Sequence, residues 1–163
     1  MLKAAPARRI ALYTFLVCLV SPTAHALDTS LLAGISTTAS NDTTPAVFVD
    51  VVGAERRTGV FTWQPTATLG ALRGRDVRVD LDRDVVIGGA GIRLVDWWRR
   101  AFFSTQIGYA ARTTAAISSH GQFISSLGWQ GDGYVIMLRH ISNADAFGGK
   151  NLGETMLLGG VTF

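Results

Sequence analysis

The sequence predicts an all-β protein, an eight-stranded antiparallel transmembrane β-barrel of the outer membrane, and three observations lead there. Apolar residues fall in short runs rich in Val, Ile, Thr and aromatics, punctuated by Gly, Asp and Asn, which is how strands and turns are written. The connections between these runs alternate between short and long, as do the two ends of an outer-membrane barrel. The chain is 48% hydrophobic, and a barrel accommodates this without a large core because its outward side chains meet lipid. Closure also removes the strand edges that hydrocarbon could not satisfy.

The N-terminal segment is read apart from the fold. Lys3, Arg8 and Arg9 precede the apolar run "IALYTFLVCLV", and "AHA" at Ala24 to Ala26 has the small residues of a signal-peptidase site. The run is too short to span a membrane as a helix. Residues 1–26 are expected to be a cleaved secretory signal, and residues 27–163 a single barrel domain.

Eight strands are expected in order. The first two, from Leu31 to Thr38 and Ala46 to Gly53, flank the polar "STTASNDTTP". The third and fourth, Val60 to Leu72 and Arg83 to Val95, flank "RGRDVRVDLD". The fifth and sixth, Ala101 to Ala111 and Gly121 to Gln130, flank "RTTAAISSH", and the last two, Gly133 to Asn143 and Gly153 to Phe163, flank "ADAFGGKNL". Between these pairs lie only "AERRT", "DWWRR" and a tight "GDG". Several strands approach the roughly ten residues that a tilted membrane strand needs. Short turns face the periplasm in such barrels, so both termini are expected there. Trp97, Trp98, Trp129 and Tyr134 sit beside the short turns, where an aromatic girdle belongs. Gly88, Gly89 and Gly91 fall inside a strand, where small residues ease curvature or packing.

Charge and cysteine content exclude several functions. Of fifteen basic residues three lie in the signal, leaving twelve against twelve acidic ones. The mature chain is thus near neutral, and nothing points to nucleic acid. The single cysteine, Cys18, also lies in the signal, so neither a disulfide nor a cysteine metal ligand is expected. "DLDRD" lacks the glycine and terminal glutamate of a calcium loop, and no glycine loop for phosphate is present, so neither metal nor cofactor is expected. The arginines of "RGRDVRVDLDRD", Arg73, Arg75, Arg78 and Arg83, read foremost as members of a solvated loop with internal ion pairs, and secondarily as phosphate contacts.

The stretch "RHISNADAFGGKNLGE" carries candidate chemistry. His140 and Ser142 are two apart in a strand, so they share a face about 6.6 Å apart along the backbone. Glu154 returns near them at the head of the neighbouring strand. A serine hydroxyl needs a base to take its proton, a neutral imidazole suits that task, and a carboxylate can hold the imidazole's tautomer. The roles would be Ser142 nucleophile, His140 base and then acid, and Glu154 orienter. Asn143, Asn151 or glycine-loop amides are candidate oxyanion donors. Arg139 and Lys150 flank the site and could meet an anionic substrate. One tension is visible in the sequence: if Leu157, Val161 and Phe163 share a lipid face, strict alternation puts Glu154 on the opposite one, unless a bulge or loop intervenes.

"RHISNA", with a glutamate fourteen residues after the histidine, resembles the lipid A 3-O-deacylases of the PagL type, outer-membrane enzymes with a His-x-Ser-Asn motif. The resemblance extends over the mature chain in architecture and is specific in the last quarter. It implies an outer-membrane esterase of a Gram-negative bacterium that removes the 3-hydroxyacyl chain at position 3 of lipid A in lipopolysaccharide. His140, Ser142 and Glu154 match the family's triad and Asn143 the asparagine after the serine. The site would lie towards the outer leaflet, open to the membrane, and a homodimer is allowed. The terminal "GGVTF" resembles the signal that such barrels present to the outer-membrane assembly machinery. Two other readings stay open: a non-catalytic small barrel, structural or a narrow pore, and a soluble lectin-like or adhesive sandwich.

Overall fold

A computed structural model describes residues 27–76, 81–144, 146 and 152–163. Residues 1–26, expected from the sequence to be a signal, and Arg78, Lys150 and Asn151 lie outside the described residues. Among the described residues nine strands follow one another: β1 (Asp28–Thr37), β2 (Thr43–Val52), β3 (Arg56–Thr58), β4 (Phe61–Leu72), β5 (Val85–Val95), β6 (Ala101–Ala110), β7 (Gly121–Gln130), β8 (Tyr134–Ser142) and β9 (Glu154–Thr162).

Among the described residues β4 to β9 pair antiparallel in sequence order, β1 pairs with both β2 and β9, and β2 pairs with β4, so eight strands close into a ring, while β3 pairs with β4 and lies outside it. One closed sheet excludes the two-sheet sandwich. Burial alternates residue by residue, as the two-residue repeat of a strand requires: β6 reads buried and exposed in turn from Phe102 to Ala110. The outward series is apolar, with Leu31, Ile35, Val47, Leu69, Ile107 and Leu138 among the exposed residues.

Two connections differ from expectation. Half of the polar "STTASNDTTP" is strand, because Thr37 pairs with Thr43 and only residues 38–42 turn the chain. The short turn expected at "AERRT" instead holds β3, which forms a hairpin with the start of β4. The register shifts by one between Val52↔Thr66 and Arg56↔Trp63, which marks a bulge. Pro65 explains its position: it has no N–H to give the ladder, and its carbonyl accepts from Gly53 N–H at 2.9 Å instead.

The interior is filled. Arg139, fully buried, donates from Nη2 to Asp50 at 2.6 Å, from Nη1 to Thr68 at 3.0 Å and from Nε to Ser126 at 3.0 Å, and its guanidinium lies over the Phe48 ring. Gly70 is the complement of that ring, since a Cβ there would overlap Phe48. At the end carrying the longer loops, Leu81, Ala116 and Ile117 fold inward and join Leu32, Ile87 and Ile124 in one apolar cluster. Side chains therefore stop the barrel at mid-height and at the loop end.

Candidate active site

The residues of the motif separate according to strand alternation. On β8 the outward series is Tyr134, Ile136, Leu138 and His140, while Val135, Met137, Arg139 and Ile141 are buried inside. On β9 Thr155 and Leu157 face out, and Glu154, Met156 and Leu158 face in. His140 pairs with Thr155 and Ile141 with Glu154, so no bulge moves the glutamate to the histidine's side. His140 and Ser142 are brought onto one face and Glu154 is not.

Glu154 is buried and held by Arg75. The guanidinium donates from Nη1 to Oε1 at 2.7 Å and from Nη2 to Oε2 at 2.8 Å, and Ser36 Oγ donates a further bond to Oε2. This fork-on-carboxylate geometry is the strong form of an ion pair. It also corrects the reading of Arg75, which is an interior residue and not a solvated one. Arg139 is corrected likewise: one residue before an outward histidine it must face inward, so it cannot flank a site on the outer surface.

His140 is held from two sides. Its Nδ1 lies 2.9 Å from Thr155 Oγ1. Its ring packs against Gly153, where a Cβ would stand 2.9 Å from Cε1 and where φ is +66°. Across the other strand boundary His140 pairs with Ser125, so a polar row Ser125, His140, Thr155 crosses β7, β8 and β9. The next outward row towards the short-turn end is Leu127, Leu138, Leu157. The imidazole therefore sits where the outer surface changes from apolar to polar.

Ser142 lies beyond His140, at the end of β8, opposite Phe123. Its Oγ accepts from Ala144 N–H at 3.1 Å, and Ala144 has φ +50°. Asn143 is fully buried, and its Nδ2 donates to Ser118 Oγ at 3.1 Å. The loop 111–120 supports this end of the strands, because its carbonyls at Ala115 and Ala116 accept from Leu152 and Gly153 N–H at 3.2 and 3.1 Å. His120, the other histidine among the described residues, is engaged elsewhere: its Nδ1 is 2.6 Å from Ala110 O and its ring stacks on Tyr109.

Below the polar row an apolar groove of about 420 Å³ runs down the outer surface between Leu138, Leu157, Ile136, Leu127 and the aromatics Trp98 and Trp129. The Trp98 and Trp129 rings meet edge to face at 5.7 Å, with Trp97 beside Trp98 at 6.4 Å. Thr155, Gly153 and the groove were not singled out from sequence. The alternation that puts Glu154 inside was visible there, and followed one residue further it leads to Thr155.

In comparisons with protein-family models, curated proteins and solved structures, nothing matches this chain.

Proposed function

We propose that this protein is an outer-membrane esterase that hydrolyses the 3-hydroxyacyl ester at position 3 of lipid A. The observation that carries the reading is the outward pair His140 and Ser142 at the head of an apolar groove. A serine and a histidine on the outer face can meet a substrate arriving from the bilayer, and a groove of Leu, Ile and Trp suits a hydrocarbon chain. The outward apolar surface and the closed sheet support residence in a bilayer, with the loop end, and so the site, towards the outer leaflet. Lipopolysaccharide would then reach the site sideways.

In this mechanism Ser142 Oγ attacks the ester carbonyl as His140 Nε2 takes the hydroxyl proton. The tetrahedral intermediate collapses, the sugar oxygen leaves with the proton from the imidazolium, and the acyl group stays on Ser142. Water, deprotonated by His140, then attacks the acyl-enzyme, releasing the 3-hydroxy fatty acid and restoring the serine. Asn143 would serve as an oxyanion donor only by turning its amide outward from its buried place beside Ser118. No cofactor enters these steps.

The test is mass spectrometry of lipid A after incubation with the purified protein in detergent, beside a folded Ser142→Ala variant. Loss of one 3-hydroxyacyl chain with the unmodified protein, and a fall of at least about 10⁴-fold in the variant, is the expected result. One observation favours a second reading: Glu154 is engaged inside the barrel, away from His140. Lipid A left intact by both proteins would favour a non-catalytic structural barrel. A narrow pore fits poorly, because Arg139 and its partners fill the interior.

A further inference from the structure

We infer that Thr155, and not Glu154, is the positioning residue that orients His140. The inference rests on the esterase reading for its kinetic consequence, but its structural content stands on the geometry of β8 and β9. Register pairs His140 with Thr155, alternation turns both outward, and Nδ1 and Oγ1 are 2.9 Å apart. Gly153 closes on the other side of the ring: any side chain there would push the imidazole away from its position. These two contacts bracket the ring.

Glu154 is fixed elsewhere. Both its oxygens are bonded, to Arg75 Nη1 and Nη2 and to Ser36, on the inner side of the wall. Reaching His140 would require breaking a buried two-point ion pair and reversing the side on which the first residue of β9 points. The hydroxyl of Thr155 needs no such rearrangement.

The chemistry of a hydroxyl differs from that of a carboxylate in a way that can be measured. In the inferred arrangement Thr155 accepts from Nδ1–H across the 2.9 Å contact, which leaves the Nε2 lone pair to act as the base. Being neutral, it sets tautomer and direction without balancing the charge of the imidazolium. Its removal therefore costs about 10²-fold, the scale of lost positioning, and not the roughly 10⁴-fold that follows loss of a triad carboxylate.

The experiment compares Thr155→Val, Thr155→Ser and Glu154→Gln with the unmodified protein, all folded in detergent. It reads kcat and KM on lipid A and the ¹⁵N shifts of the His140 ring. Thr155→Val keeps the shape of the side chain and lacks the hydroxyl. It is expected to lower kcat about 10²-fold with KM within about twofold, and to move the ring proton from Nδ1 to Nε2. Thr155→Ser restores the hydroxyl and is expected to return both kcat and tautomer. A Thr155→Val protein with unchanged tautomer overturns the inference, whether or not lipid A is hydrolysed. So does a fall of about 10⁴-fold in kcat for a folded Glu154→Gln barrel, which would return the orienting role to the carboxylate. Intact lipid A with the unmodified protein would instead remove the esterase reading, while the tautomer shift on its own would still support Thr155 as the group that holds the ring.

Discussion

The two faces of the β8–β9 pair differ in what their polar residues do. Inside, Arg139 and Glu154 are buried and each is tied to an opposite charge, Asp50 and Arg75. Outside, His140, Ser142 and Thr155 are uncharged or titratable groups at the end of an apolar surface. Residues adjacent in sequence thus serve different ends, and one step along the strand separates them. The lesson is that a motif in a barrel strand must be read every second residue: the intervening positions belong to the interior, whatever their chemistry.

If the separation holds, interior substitutions change folding and exterior ones change chemistry. The largest effect is expected at Arg139. Replacing it with Ala leaves Asp50 buried without its partner, and breaking one side of such a pair costs about 3–5 kcal/mol. Thr68 and Ser126 also lose their charged donor. Urea unfolding in detergent should show the loss. Removing both charges at once, with Arg139→Met and Asp50→Leu, should recover most of it, because paired apolar replacements of a buried ion pair are often near neutral. An Arg139→Ala barrel as stable as the parent would mean that the pair contributes nothing, and the contrast between the faces would lose its interior half.

A middle effect is expected at Gly153, where the two faces meet. The residue has φ +66° and its Cα stands against the His140 ring. Ala there costs about 1–2 kcal/mol for the left-handed backbone, and its Cβ, 2.9 Å from Cε1, displaces the imidazole. Stability and kcat should therefore fall together, kcat by about tenfold to a hundredfold, the scale of a misplaced catalytic group. Loss of stability alone would mean that the ring has room to move without consequence.

Most of the architecture was legible. Val, Ile and aromatic runs between Gly, Asp and Asn gave eight strands whose ends agree with the observed ones to within a few residues, because alternation and turn chemistry are local. What was hidden depended on contacts far apart in the chain. The bulge before β3 follows from Pro65 facing Gly53, a pairing no single segment announces. Arg75 looked like part of a solvated loop because its partner, Glu154, lies 79 residues away. The site was half legible: spacing put His140 and Ser142 on one face, while the family-like interval to Glu154 pointed across the wall. The parity counted back from Phe163 carried the correct answer for Glu154, and register supplied Thr155.

The smallest effect is expected at the groove floor, and it separates chain recognition from chemistry. Trp98 meets Trp129 edge to face at 5.7 Å and both line the groove below Leu138. Trp129 pairs with Ile136, six residues below Ser142 on β8, or about 20 Å at the rise of a strand. An extended backbone advances roughly 3.5 Å over three bonds, about 1.2 Å per bond, so an extended hydrocarbon chain of about sixteen carbons would reach from Ser142 to the tryptophans. Trp98→Ala takes away a wall of the groove, and each chain CH₂ it leaves uncovered loses about 0.8 kcal/mol. KM for an ester with a chain of that length should then rise about threefold to tenfold, while kcat and the hydrolysis of a butyryl ester stay unchanged. An equal change for long and short esters would mean that the tryptophans support the strands and do not touch the chain, and the outer face would then carry its chemistry at His140, Ser142 and Thr155 alone.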